Sequence, residues 1–295
     1  MVVSPRHMLT GAAVVECYPR GAVKTAEWKK DGEYHRTDGP AFLRYTEDGF
    51  LVEERWYLNG LLHREDGPAR IVCNPIGTES REEWYFSGLR HRDQGPAYIA
   101  HEQTEGRIKR EERWYIKGCL HREHEPAVLV FLTREGETVL VCREWWYKDQ
   151  RHCENGPAQE TFYDTGTIRS RKWYVNDRLH RPDGPAVEEY FTSGKLRLEE
   201  WYLYGKLHRD GGPARQMYNS SGSCLARYWL CHGQYHRDDG PAVEIIHTKG
   251  YKLIPARTYY YLEGKLIAAN QFQQKARLYR LSKSLAWNSD EPFRL

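Results

Sequence analysis

The sequence predicts an all-β fold: an elongated array of about nine antiparallel β-hairpin repeats of 28 residues, an open-ended solenoid or twisted sheet, with a C-terminal helix. Three observations carry this expectation. Nine of the thirteen histidines, beginning at His7 and His35, recur at steps of 28, 28, 28, 30, 31, 28, 28 and 28 residues. Each of eight tryptophans stands 12 residues before a proline, from Trp28 and Pro40 to Trp229 and Pro241, so only the Pro-to-Trp half of a repeat changes length. Each half also carries strand and turn signals and, before residue 268, no helical period.

In one repeat, FLVEERWYLNG (Phe50 to Gly60), branched and aromatic residues end on Asn59-Gly60, a short hairpin signal. LLHR then runs into Asp66-Gly67-Pro68, a second turn. ARIVCN follows as an extended piece, and a Gly near its end closes the other turn. Each repeat is thus two main strands with a short one between. A lone 28-residue unit buries too little to offset the entropy of ordering it, so the repeats must stack and share their aromatics. Trp28, Trp56, Trp84, Trp114, Trp145, Trp173, Trp201 and Trp229 are the expected packing spine. In the last unit Tyr260 takes the Trp place and Ile267 the His place. The repeat domain is read as 1–267.

The tail, 268–295, differs. QFQQKARLYRLSKSLAW (Gln271 to Trp287) has helix formers with Leu278, Leu281 and Leu285 at i, i+3 and i+7, and Lys275, Arg277, Arg280 and Lys283 with no acid. These residues define either a helix capping the exposed edge of the last repeat or a docking arm for a partner.

Composition narrows the class. The chain of 295 residues is 40% hydrophobic with a mean hydropathy of -0.81, yet it holds 10 Trp and 21 Tyr. No run is long enough for a membrane span, and MVVSPRHMLTG lacks the apolar core of a signal peptide. Seven Cys are odd in number and form no C-x-x-C pair. A reducing, cytosol-like compartment is expected rather than secretion. With 44 basic and 41 acidic residues interspersed, no basic stripe for specific nucleic-acid binding emerges. The acids before each Trp, such as Glu53, Glu54, Glu82 and Glu83, are placed for cross-strand pairing with Arg, which can also lie over aromatic faces.

Histidine is the residue whose repetition most resembles chemistry. Equivalent histidines in a stack lie roughly 10 to 14 Å apart, whereas ligands of one metal ion must be far closer, so the ladder cannot chelate. A local pair, His121 with His124, is the one metal candidate this reasoning leaves. An acid three residues on, as in His35/Asp38 or His63/Asp66, could orient an imidazole, but no fixed Ser or Cys nucleophile accompanies it. His35, His63, His91, His121, His152, His180, His208 and His236, most followed by Arg, are therefore read as a polar clasp; no catalytic, metal or cofactor residue is assigned.

EWKKDGEYHRTDG (Glu27 to Gly39) and EWYFSGLRHRDQG (Glu83 to Gly95) resemble the MORN repeat, Tyr-x-Gly-x-Trp-x-x-Gly-x-x-His-Gly-x-Gly. The closer likeness is to MORN-variant repeats with a W-Y-x-N-G-x-L-H-R-x-D-G-P-A core, associated with large DNA viruses of amoebae and with some bacterial proteins labelled as antitoxins. The resemblance covers residues 7 to about 267, although Arg replaces the Gly after His and the unit is longer. It implies a β-hairpin stack and a non-enzymatic scaffold for protein partners, with a minor capsid or capsid-associated role beside capsid proteins as the specific case. Two other readings stand beside it. One is a ligand-binding module in which Tyr57, Tyr85, Tyr115, Tyr174 and Tyr202 stack sugars or choline-like cations, although a small-molecule ligand is disfavoured. The other is an antitoxin or immunity-type protein.

Overall fold

The computed structural model describes residues 14–249 and 252–289, without the side chains of 247–249, 252–256 and 285–289. His7, first in the histidine ladder, lies outside the described residues. The chain forms two compact units, Met1–Arg151 with Asp164–Gly166, and His152–Tyr163 with Thr167–Leu295. This division falls inside the repeat array, where the sequence pattern marks only one boundary, at the tail. The pattern runs through residue 151 almost undisturbed, weakened only by Asp149 in a turn-glycine place and Cys153 in an arginine place.

Both units are antiparallel meanders of hairpins. In the first, ten strands from Val14–Cys17 to Glu137–Glu144 each pair with the next in chain order. In the second, eight do so from Gln159–Phe162 to Lys252–Leu262. Among the described residues one helix follows, Ala269–Ser289.

The repeat that begins at Phe42 shows how residues dictate this. Phe42–Tyr45 pairs with Leu51–Arg55 through a turn closed by the Thr46 N–H to Phe50 O (2.9 Å) and the Gly49 N–H to Thr46 O (3.0 Å). A bulge interrupts the ladder at Arg44/Tyr45. In the second unit the bulge recurs at Thr161/Phe162, Glu189/Tyr190, Met217/Tyr218 and Ile245/Ile246, once in every repeat, adding twist each time. Beyond Trp56 comes a short hairpin, Tyr57–Leu58 with Leu61–Leu62, whose turn residues Asn59 (φ 48°) and Gly60 (φ 75°) are both left-handed, as a type I′ turn requires.

The constant Trp-to-Pro length now has a cause. The Trp56 N–H donates to Ala69 O (2.7 Å), and the His63 N–H donates to Trp56 O (3.0 Å), so the segment is a loop closed on itself. Equivalent Trp to Ala bonds, 2.7–2.9 Å long, close six other repeats. An added residue would break them, whereas the Pro-to-Trp hairpins can lengthen outward, as Tyr98–Thr104 with Arg107–Arg113 and Val128–Arg134 with Glu137–Glu144 do.

The same closure relocates the deepest burial. Ala41, Ala69, Ala97, Ala127, Ala158, Ala186, Ala214 and Ala242, each following the Pro, are fully buried, whereas Trp28 alone of the spine tryptophans is buried and the others are half-buried. The Trp N–H to Ala O bond draws the two backbone segments together at the alanine, where the small side chain is fully enclosed.

Candidate functional site

The repeated Trp and Arg form a layered contact. The Arg64 guanidinium lies 3.9 Å from the Trp56 ring, and the same stack recurs from Arg36 over Trp28 to Arg237 over Trp229 at 3.9–4.2 Å. Arg64 also donates to Asp66 Oδ1 (3.0 Å) and to Pro68 O (3.3 Å). Its other face meets Gly67, where an added Cβ would lie 2.8 Å from Cζ. Glycine is therefore needed here for space, not for a left-handed backbone. Gly67→Ala is expected to destabilise by about 1–2 kcal/mol, the combined worth of the cation–π contact and a hydrogen bond. At Gly156, where Cys153 replaces Arg and its Sγ is 3.9 Å from the same virtual atom, alanine is expected to be neutral or to stabilise by about 0.4–1 kcal/mol. Urea midpoints of the two variants check this pair.

Histidine stitches successive repeats. The Asn59 N–H donates to His35 Nδ1 (3.2 Å), Ser87 to His63 (3.1 Å), Lys117 to His91 (3.3 Å), Tyr204 to His180 (3.4 Å), His232 to His208 (3.4 Å) and Glu263 to His236 (3.0 Å). Each donor sits at the left-handed turn of the following repeat. An accepting Nδ1 assigns the ring proton to Nε2. That proton faces the acid two residues on, Asp93 at 3.1 Å from His91 and Asp210 at 3.5 Å from His208, whereas the acid three residues on belongs to Arg. His121 and His152 keep buried Nδ1 atoms with no hydrogen-bond partner. The clasp thus has two gaps, beside the places where Asp149 and Cys153 break the repeat pattern.

The acids before Trp do more than pair on a surface. Glu53 and Glu83 are buried at 3% and 0% exposure. Arg70 joins them, 2.9 Å from each, while Arg44 and Arg55 also bind Glu53, and Arg90 and the Tyr85 hydroxyl bind Glu83. Burial pushes the Glu53 carboxyl up, but Arg55 and Arg70 outweigh it and hold it below the ordinary value. Strand arginines supply these bonds, and the arginine of His-Arg stays on its tryptophan.

The tyrosines are equally committed. Tyr57, Tyr85, Tyr115, Tyr174 and Tyr202 are half-buried rather than exposed. Tyr57 stacks on Tyr34 at 5.0 Å, and Tyr202 donates to Glu200 at 3.1 Å. Burial, with the Glu200 charge, pushes the Tyr202 phenol up to about 12.

An open cavity lies in the first unit. It has a volume of about 780 Å³ and takes side chains from seven successive strands, from Lys24 on Val23–Glu27 to Lys109 and Glu111 on Arg107–Arg113. Strands lie about 4.8 Å apart, so these seven spread the lining residues over nearly 30 Å across the sheet. Lys24, Arg44, Arg81 and Lys109 line it together with Glu47, Glu79, Glu102 and Glu111, beside Tyr18, Tyr45 and Tyr98. His101 and Lys109, on the Tyr98–Arg113 hairpin, stand at the repeat places of Cys73 and Glu79, which line the cavity as well. Periodicity directs attention to repeated residues and carries no sign of this surface.

The C-terminal helix turns a different face inward from the one its leucines suggest. Phe272 (1% exposed) and Ala276 (0%) pack with Leu262, Tyr260, Ile267 and Tyr279. Leu278 and Leu281 are instead 60% and 50% exposed, and the side chain of Leu285 lies outside the described residues. A leucine period fits either face of a helix, and the aromatic surface of Tyr260 favours the stripe bearing Phe272, 4.6 Å away. Lys283 pairs with Glu263 (3.4 Å) and Arg280 donates to Asp238 O, while Lys275 and Arg277 are exposed. No helix among the described residues is long and apolar enough to cross a membrane. No protein-family model matches the chain, and no curated protein matches it.

Proposed function

We propose that the protein is a non-enzymatic scaffold that holds a partner protein in the open cavity of its first unit. The carrying observation is that 780 Å³ cavity, lined by both basic and acidic side chains and three tyrosines. An extended polypeptide of mixed charge suits such a surface, because tyrosine supplies contact area at low entropic cost and charges of both signs set register. The Trp, His and Arg of most repeats are engaged in the array itself, which supports assigning recognition to the variable hairpins. A capsid-associated setting in a large DNA virus rests on the MORN-like resemblance alone. The test is capture of partners by the intact chain, by Arg81→Glu/Lys109→Glu, and by a chain lacking 271–295. The expected result is loss of the partner in the charge-reversed chain and retention without the tail. Loss only on removing the tail would move recognition to Leu278, Leu281, Lys275 and Arg277 and overturn the proposal.

A further inference from the structure

Metal-ligating side chains converge at one described place, distinct from the cavity of the first unit. His208, Cys231 and His232 bring ligand atoms within 4.8 Å of one another. They lie in consecutive repeats: His208 ends one clasp, and Cys231 and His232 begin the next short hairpin. Neither Cys nor His occupies these two hairpin places elsewhere, where Leu58-Asn59, Phe86-Ser87, Ile116-Lys117, Val175-Asn176 and Leu203-Tyr204 stand. Asp210 adds a carboxylate 3.5 Å from His208 Nε2.

We propose that His208, Cys231 and His232, completed by Asp210, bind one zinc ion that clamps these two repeats together. Two imidazoles, a thiolate and a carboxylate are a donor set that zinc takes in tetrahedral geometry, and the sulfur disfavours magnesium and calcium. His208, Asp210 and Cys231 border a cleft of about 550 Å³, which gives the ion a path in. The His208 and His232 rings stack at 4.4 Å and 9°, so their lone pairs run in parallel planes. Binding therefore requires one ring to turn, and His232, which is exposed, is the one able to do so. Coordination through His208 Nε2 moves that ring's proton to Nδ1. The 3.4 Å bond from the His232 N–H, among the longest of its kind here, is given up. The Cys231 thiol proton passes to solvent, and no oxidant or reductant is involved.

His121 and His124 join no such converging group among the described residues. Equivalent histidines of successive repeats are too far apart to share an ion. Sites formed between an equivalent and a non-equivalent position escape that limit.

The test uses the full chain without an affinity tag, titrated with cobalt and then zinc. One cobalt per chain is expected, with the visible bands of tetrahedral coordination and a thiolate-to-cobalt charge-transfer band, both bleached by zinc. Cys231→Leu and His232→Asn place at these positions residues that neighbouring repeats already carry there, so folding is expected to survive and circular dichroism checks it. Each is expected to weaken zinc binding by at least about 100-fold, and Asp210→Asn by about tenfold. Zinc is expected to raise the unfolding temperature of the native chain but not of the Cys231→Leu/His232→Asn double variant. Cobalt binding without a charge-transfer band, or zinc binding unchanged in the double variant, would overturn the proposal.

Discussion

Replacing Glu83 by alanine is expected to destabilise the first unit by about 3 kcal/mol. Removing one partner of a buried ionic network typically costs about 3–5 kcal/mol, and the lower end applies because the Arg70 and Arg90 side chains retain 28% and 34% exposure and can rehydrate. Burial pushes the Glu83 carboxyl up, but hydrogen bonds from Arg90 and Tyr85 and the charges of Arg90 and Arg70 prevail, holding it below the ordinary value of 4.5. The sign follows directly. A depressed carboxyl contributes stability above its unfolded value, and that contribution is lost as pH falls below 4.5 through the folded one. Native protein should therefore lose stability on acidification more steeply than Glu83→Gln, whose neutral amide has no proton to take up. Urea midpoints at about pH 7 and about pH 3 measure both effects; parallel acid losses would contradict them.

Phe272→Ala is expected to release the C-terminal helix from the last repeat. Deleting a buried phenylalanine ring costs about 3–5 kcal/mol, and Phe272 is the largest fully buried side chain among the described residues. Because the helix is terminal, the loss should be local. Amide exchange across Ala269–Ser284 should accelerate strongly while the remaining repeats keep their protection. Leu278→Ala and Leu281→Ala, on the exposed face, should change stability by no more than about 0.5 kcal/mol. Equal acceleration by all three substitutions would mean that the leucine face also packs.

Much of this fold was legible because its signals are local. Asn59-Gly60 encodes a left-handed turn, and Trp56 to Pro68 has a length that cannot change. What was not legible depends on which parts of the chain meet. Ala69 reads as filler in Gly-Pro-Ala, yet the Trp56 hydrogen bond makes it the deepest position of its repeat. Glu53 and Glu83 read as acids placed for cross-strand pairing with Arg, but their burial, and the single Arg70 set between them, depend on which strands pair. Leu278 and Leu281 satisfy a helical period that says nothing about what the helix will meet. The cavity of the first unit is lined by residues of seven strands that belong to no repeated Trp, His or Arg place, where periodicity is silent.

The histidine stitch is also one-directional. In the second unit three imidazoles accept from the repeat that follows, His180 from Tyr204, His208 from His232, and His236 from Glu263. A repeat ending in histidine thus presents a vacancy that only a successor can fill, which gives the array a sense of travel, like text read one way. Ile267, in the place of the next histidine, is its full stop: the final repeat answers its predecessor and asks for nothing further. A repeat duplicated ahead of residue 260 would extend the text, whereas one appended after Ile267 would find no imidazole waiting.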